Sequence, residues 1–125
     1  MNEGGETSER PVTLTDVEDA RARIADVVHR TPLDTSRTFA DMSNAASVGL
    51  KLENVQRTGS FKIRGAYNKM AQLSPDEREA GVIASSAGNH AQGVALAGDL
   101  LDIETTIVVP EVTPAAKIEA TRGYG

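Results

Sequence analysis

The chain has 125 residues, enough for one ordinary domain, and its 39% hydrophobic and 25% charged content is that of a soluble fold. A formal net charge of −5, with no basic stretch interleaved with stacking aromatics, speaks against a nucleic-acid role. The absence of cysteine excludes a disulfide framework and a thiolate nucleophile, and the only two histidines, His29 and His90, have no ligand spacing around them, so no metal site is expected.

Aromatic residues are scarce, so the core must come from Ala, Val, Ile and Leu, which suits buried parallel strands and the helices that cover them. Met1 to Arg10 is polar and acidic and is expected to be a disordered tail. It lacks the apolar stretch of a signal peptide, and no run in the chain approaches the length of a membrane span, so a cytoplasmic protein is expected. Thr15-Asp16-Val17-Glu18 has capping-box spacing. Val17, Ala20, Ile24, Val27 and Val28 follow at helical spacing, and Thr31-Pro32 ends the helix. Leu33 to Asn44 is expected to be irregular or partly helical.

Val48 to Glu53 alternates as a half-buried strand does. Arg57-Thr58-Gly59-Ser60 is a turn into a helix from Phe61 to Leu73. Ser74-Pro75-Asp76-Glu77 is a second capping box, with proline at the first helical position, and opens a short helix that stops near Gly81. Val82 to Ser85 reads as a strand, Ser86 to Asn89 as a loop, His90 to Leu101 as a helix, and Thr105 to Val109 as a β-branched strand. Thr113-Pro114 starts a last helix that runs to about Arg122. This alternation predicts a parallel sheet covered by helices.

Two segments carry chemistry. Lys62 stands at the start of a helix, where the positive end of the helix dipole disfavours its ammonium form, and burial beside Phe61 would act the same way. Such an amine suits Schiff-base formation with an aldehyde. On these grounds alone a surface lysine of an amphipathic helix is the simpler reading. Ser85-Ser86-Ala87-Gly88-Asn89-His90-Ala91-Gln92-Gly93 lies between a predicted strand and a predicted helix. Its small residues leave backbone N–H groups available to an anion, although an ordinary capped turn fits the spacing as well.

The string Lys51-x-Glu53-x-x-Gln56-x-Thr58-Gly59-Ser60-Phe61-Lys62-x-Arg64-Gly65-Ala66 resembles the pyridoxal-phosphate attachment site of the serine/threonine dehydratase family. That family comprises threonine ammonia-lyases, serine dehydratases and serine racemases. Ser85 to Gly93 matches the family's second motif at the right distance, and Arg30-Thr31-Pro32-Leu33 is also typical. The resemblance implies pyridoxal 5′-phosphate as cofactor, held covalently by Lys62, with Phe61 against its ring and Asn89 hydrogen-bonded to its 3′-oxygen. It gives Ser86, Ala87, Gly88, Asn89 and His90 to the substrate carboxylate. Serine racemases carry a proton-handling serine just before the Gly-Asn pair; Ala87 stands there instead, which leans toward elimination and toward the threonine ammonia-lyases.

The implied fold is α/β, a parallel sheet flanked by helices in the tryptophan-synthase-β-like manner of fold-type II enzymes, and incomplete. Residues 11–47 would form an N-terminal helical segment that packs on a larger domain, and residues 48–125 a truncated small α/β domain. The implied activity is conversion of L-threonine, or of serine in the serine dehydratase alternative, to the 2-oxo acid and ammonia, within amino-acid metabolism such as isoleucine biosynthesis. The family is usually homo-oligomeric. Its members are much longer than this chain, and their glycine-rich phosphate loop has no counterpart here. The chain is therefore expected to be a fragment with exposed apolar surface, inactive alone, or a non-catalytic remnant.

Overall fold

The computed structural model describes residues 11–125, so the expected N-terminal tail lies outside the described residues. The first helix, α1, spans Leu14–Ile24. Its capping box is Thr13 with Asp16: the Thr13 Oγ1 accepts the Asp16 N–H at 3.2 Å, and the Asp16 carboxylate accepts the Thr13 N–H at 2.8 Å. The frame two residues later, Thr15 with Glu18, is not the one used. The helix also closes sooner than its apolar stripe suggests, and Val27 and Val28 lie in turns bonded back to the Ile24 carbonyl.

The stretch expected to be irregular is ordered. It forms β1 (Leu33–Thr35) and α2 (Arg37–Ser43), the latter capped by Ser36 and closed by Asn44 in the left-handed region at φ 54°. β2 (Gly49–Lys51) follows and pairs antiparallel with β1, Leu33 opposite Lys51. This corrects the expected topology, in which the strand after residue 48 opened the parallel sheet. β2 instead turns back on the segment before it.

The lysine segment passes through two single turns of 3-10 helix, Glu53–Val55 and Arg57–Gly59, before α3 (Lys62–Met70). The second capping box is present as read. Ser74 and Glu77 exchange hydrogen bonds around Pro75, α4 spans Pro75–Ala80, and Gly81 ends it at φ 80°. A Cβ at position 81 would lie 2.9 Å from the Glu104 carbonyl oxygen, so the turn requires glycine on both counts. Replacing Ser74 by alanine removes one reciprocal bond of this box and is expected to cost about 1 kcal/mol in urea unfolding, with an unchanged m-value.

β3 (Val82–Ser85), α5 (Asn89–Leu101) and β4 (Thr105–Val108) form a βαβ unit whose strands pair in parallel, Val82 opposite Thr105 through Ser85 opposite Val108. The last helix, α6, spans Ala115–Arg122. The core lies between α3, α5 and one face of this two-stranded sheet. Ile63, Ala66, Met70, Val94, Ala97 and Ile103 fill it, with Val82, Ala84 and Ile107 contributed from the strands. The other face of the sheet is open, leaving Ile83 76% and Val108 51% exposed. Leu14 and Val17 on α1 and Phe39 and Met42 on α2 are exposed too, which is the apolar surface expected of a partial fold.

Candidate active site

The motif residues before Lys62 build a polar clamp. Arg64 reaches Glu53 through two parallel bonds, Nε to Oε2 and Nη2 to Oε1, both 2.8 Å long. Glu53 Oε1 also accepts the Thr31 hydroxyl at 2.5 Å, and Lys51 Nζ donates to the Thr31 carbonyl at 2.6 Å. Gln56 is only 4% exposed. Its Oε1 accepts the N–H groups of His29 and Arg57 at 2.8 and 2.9 Å, and its Nε2 donates to the His29 carbonyl at 2.8 Å. One amide thus bonds three backbone groups, and the His29 carbonyl also accepts Arg64 Nη2 at 3.3 Å. The Arg64 guanidinium beside Glu53 holds that carboxyl down at about 2, against the opposing pull of burial and with help from the Thr31 hydroxyl.

The clamp gives Lys51, Glu53, Gln56 and Arg64 a physical function that the sequence reading left unassigned: they fasten the lysine segment to His29–Pro32. The motif string singled these residues out, but only the fold shows that the backbone and hydroxyl partners at His29 and Thr31 sit twenty or more residues earlier. Beyond the clamp the backbone is strained. Thr58 adopts φ 60° and ψ 10°, rare for a β-branched residue, and Gly59 follows at φ 68°. The Thr58 Oγ1 and Arg57 Nε atoms are buried without a hydrogen-bond partner among the described residues.

This turn delivers Phe61 and Lys62 to the start of α3. Phe61 is 58% exposed, and its ring centroid lies 5.3 Å from the half-buried Lys62 Nζ. The expected burial of the lysine against Phe61 is therefore partial: the amine stands over a ring that stays open to solvent. The other motif lies alongside, because α3 and α5 make the most extensive helix–helix contact in the structure and the Arg57–Gly59 turn also packs on α5. Ser86, Ala87 and Gly88 form a half-buried loop, while Asn89 and His90 are the exposed first residues of α5.

No side chain caps α5. The Ser86 N–H is committed to the Val108 carbonyl at 3.1 Å, and the Gly88 N–H to the Ser86 Oγ at 3.2 Å. Ala87 and the first turn of α5 keep N–H groups without a carbonyl partner among the described residues. A cavity of ≈ 540 Å³ lies elsewhere, between α1, Val28–Arg30, Lys51 and Arg64. Ala87 lines a second cavity, ≈ 300 Å³, with Thr105, Ile107 and Lys117, and Lys62 lines neither of the two.

These features fit a planar aldehyde cofactor. A half-buried amine stands beside an open aromatic face, the helix packed on α3 begins with uncapped N–H groups, and two buried polar atoms in the preceding turn lack partners among the described residues. A βαβ unit covered by a helix that starts at a lysine defines an α/β protein. The chain belongs to the pyridoxal-phosphate dependent enzyme family, whose model matches residues 24–125. It is 54% identical over 114 residues to "L-threonine dehydratase catabolic TdcB" of Staphylococcus aureus, an alignment that covers 91% of this chain and 33% of that protein. Among solved structures it resembles the maize serine racemase, with TM-score 0.83 and 40% identity over 93% of this chain and 35% of that one. It also resembles the threonine deaminase isoform 2 of Solanum lycopersicum, with TM-score 0.77 and 45% identity over 87% of this chain and 32% of that one. The chain spans about a third of the length of these relatives.

Proposed function

We propose that this chain supplies the lysine side of the active site of a pyridoxal-phosphate-dependent ammonia-lyase that converts L-threonine to 2-oxobutanoate and ammonia. The observation that carries the reading is the packing of α3, which starts at Lys62, and of the Arg57–Gly59 turn on α5, whose first residue is Asn89, joined by the identity to threonine dehydratases. Lys62 would hold the cofactor, with Phe61 against its ring and Asn89 at its 3′-oxygen. The bound cofactor supplies an electron sink for charge that develops at Cα.

This chain's residues do the rest on their side of the site. Ala87 and His90, with the first-turn N–H groups of α5, receive the substrate carboxylate and fix the orientation of the Cα–H bond, and Gly88 joins them when its N–H is released from the Ser86 hydroxyl. Ser86 contributes through its hydroxyl, which already accepts the Gly88 N–H. The Lys62 ε-amine takes the Cα proton. Loss of the β-hydroxyl and hydrolysis of the product enamine then release 2-oxobutanoate and ammonia, which together contain the atoms of threonine.

A second reading, racemase or serine dehydratase, has the structural likeness to serine racemase in its favour. Ala87 argues against racemisation, since its methyl group carries no proton to the opposite face of Cα. Placement in isoleucine biosynthesis, a cytoplasmic location and a homo-oligomeric whole protein remain part of the proposal. The likeness to a relative named as catabolic favours a degradative role over a biosynthetic one. No helix among the described residues is long and apolar enough to cross a membrane.

Adding pyridoxal phosphate to the purified chain tests the reading. A visible-range absorbance band, trapped by borohydride on Lys62 and lost in Lys62→Ala, is the expected result. No band, or an equal band in both proteins, would leave a non-catalytic remnant as the better account.

A further inference from the structure

The glycines of α3 and α5 differ sharply in what surrounds them. A Cβ at Gly65 would meet nothing within 4 Å. At Gly98 it would collide with Thr105 Cγ2 at 2.4 Å and the Ile103 carbonyl oxygen at 2.8 Å, so Gly98 is needed simply to seat β4 against α5. Gly93 is the intermediate instance. A Cβ there would lie 3.1 Å from both the carbonyl carbon and the Cβ of Lys62, and 3.2 Å from the Ile63 nitrogen.

Those distances are tighter than ordinary contact but short of collision. A methyl group at position 93 could be accepted if the neighbours moved by a few tenths of an ångström. The neighbours are the backbone of Lys62 and Ile63 and the root of the lysine side chain, so the group that would have to move is the start of α3 itself. Asn89 lies four residues before Gly93, on the same face of α5 and about 6 Å nearer the loop along the helix axis. The contact at Gly93 is therefore one helical turn from the residues proposed to receive cofactor and substrate.

We propose that Gly93 is a positioning residue: by presenting no side chain where α5 meets the Lys62 backbone, it sets the spacing between the lysine amine and the Ser86–Asn89 loop. The inference rests on the reading of Lys62 as the cofactor lysine. Gly93 touches no reacting atom and acts only through Lys62.

A packing role and a positioning role predict opposite results for Gly93→Ala. Alanine in a helix interior ordinarily stabilises relative to glycine. The Gly93→Ala chain is expected to keep its circular dichroism spectrum and to unfold no earlier than the unaltered chain. Its ¹H–¹⁵N amide signals at Lys62 and Ile63 should shift, and the equilibrium constant for the Lys62 adduct with pyridoxal phosphate should fall about tenfold, because small misplacements of a reacting group are costly. Ala97→Gly weakens the same helix one turn further on, and is expected to lower the unfolding midpoint while leaving the adduct constant unchanged.

An adduct constant and amide signals in Gly93→Ala equal to those of the unaltered chain would overturn the proposal. Loss of the fold comparable to that of Gly98→Ala would overturn it as well, by making Gly93 a packing residue. If the unaltered chain forms no adduct on Lys62, the reading of the site fails first and the inference falls with it, an outcome distinct from either of the others.

Discussion

Replacing Ile63 by alanine should lower the unfolding free energy by about 3 kcal/mol, a large share of what a domain of this size usually has. Ile63 is fully buried, the largest side chain among the described residues to be so, and it stands at the centre of the cluster formed with Met70, Val94, Ala97 and Ile103. Several of its neighbours are alanines, which have no rotamers with which to fill the void. The cavity should therefore persist and add its own cost to the lost burial. Urea unfolding monitored by circular dichroism reads the effect as a lower midpoint with an unchanged m-value. A loss under about 1 kcal/mol would show that the α3–α5 contact is not where the stability resides.

The second large effect is electrostatic. The Glu53 carboxyl is held at about 2 in the folded chain, against an ordinary value of 4.5. A depressed folded value means that the unfolded chain binds the proton more readily. The stabilisation is then fully present above about pH 4.5 and is lost as pH falls toward 2. Glu53 is 16% exposed and its partner Arg64 30%, so solvent screens the pair in part and about 2 kcal/mol is a reasonable size. Glu53→Gln should lose that amount at neutral pH and show a correspondingly flatter stability profile across the acid range. The informative quantity is the difference between the two profiles, since other carboxylates titrate in both proteins. Parallel profiles offset by nothing at neutral pH would mean that the clamp is geometric only.

Much of the second half of the fold was legible because its signals are local. Ser74-Pro75-Asp76-Glu77 allows few conformations other than a capped helix start, and Val82–Ser85 and Thr105–Val108 are short apolar runs bounded by turns, on either side of a helix of the right length. The first half resisted for two reasons. Two Thr-x-x-acid frames overlap at Thr13 and Thr15, and spacing alone does not rank them; the earlier frame wins and lets the helix begin one residue after Thr13. β1 is three residues long and exposed throughout, so no alternation betrays it, and its pairing with Lys51 is a long-range fact.

The candidate site divides similarly. The stretch from Phe61 to Arg64 and the loop from Ser86 to His90 could be picked out as chemistry-bearing strings, and each lies at the helix start where it was expected. What the strings could not convey is which of their residues serve the scaffold. Gln56 looks like an ordinary polar residue until its amide is seen filling three backbone valences around His29. Gly93 looks like one of several small residues in α5 until the distance to the Lys62 backbone is measured. Both are consequences of tertiary approach, and neither leaves a mark on local spacing.

The β1–β2 ladder and the clamp bear on how the chain would tolerate being cut. The ladder joins Leu33–Thr35 to Gly49–Lys51, and the Ser36 N–H reaches across to the Val48 carbonyl at 3.0 Å. Gln56, Glu53, Lys51 and Arg64 then hold His29 to Pro32 from the far side. The intervening Asn44 to Ser47 is exposed and takes part in no strand. A peptide bond broken there would sever the covalent thread while leaving two polypeptides that recognise each other through backbone pairing and a buried amide. The unit that presents Lys62 would then be a non-covalent assembly of two stretches of sequence, which invites reconstitution from separately made halves.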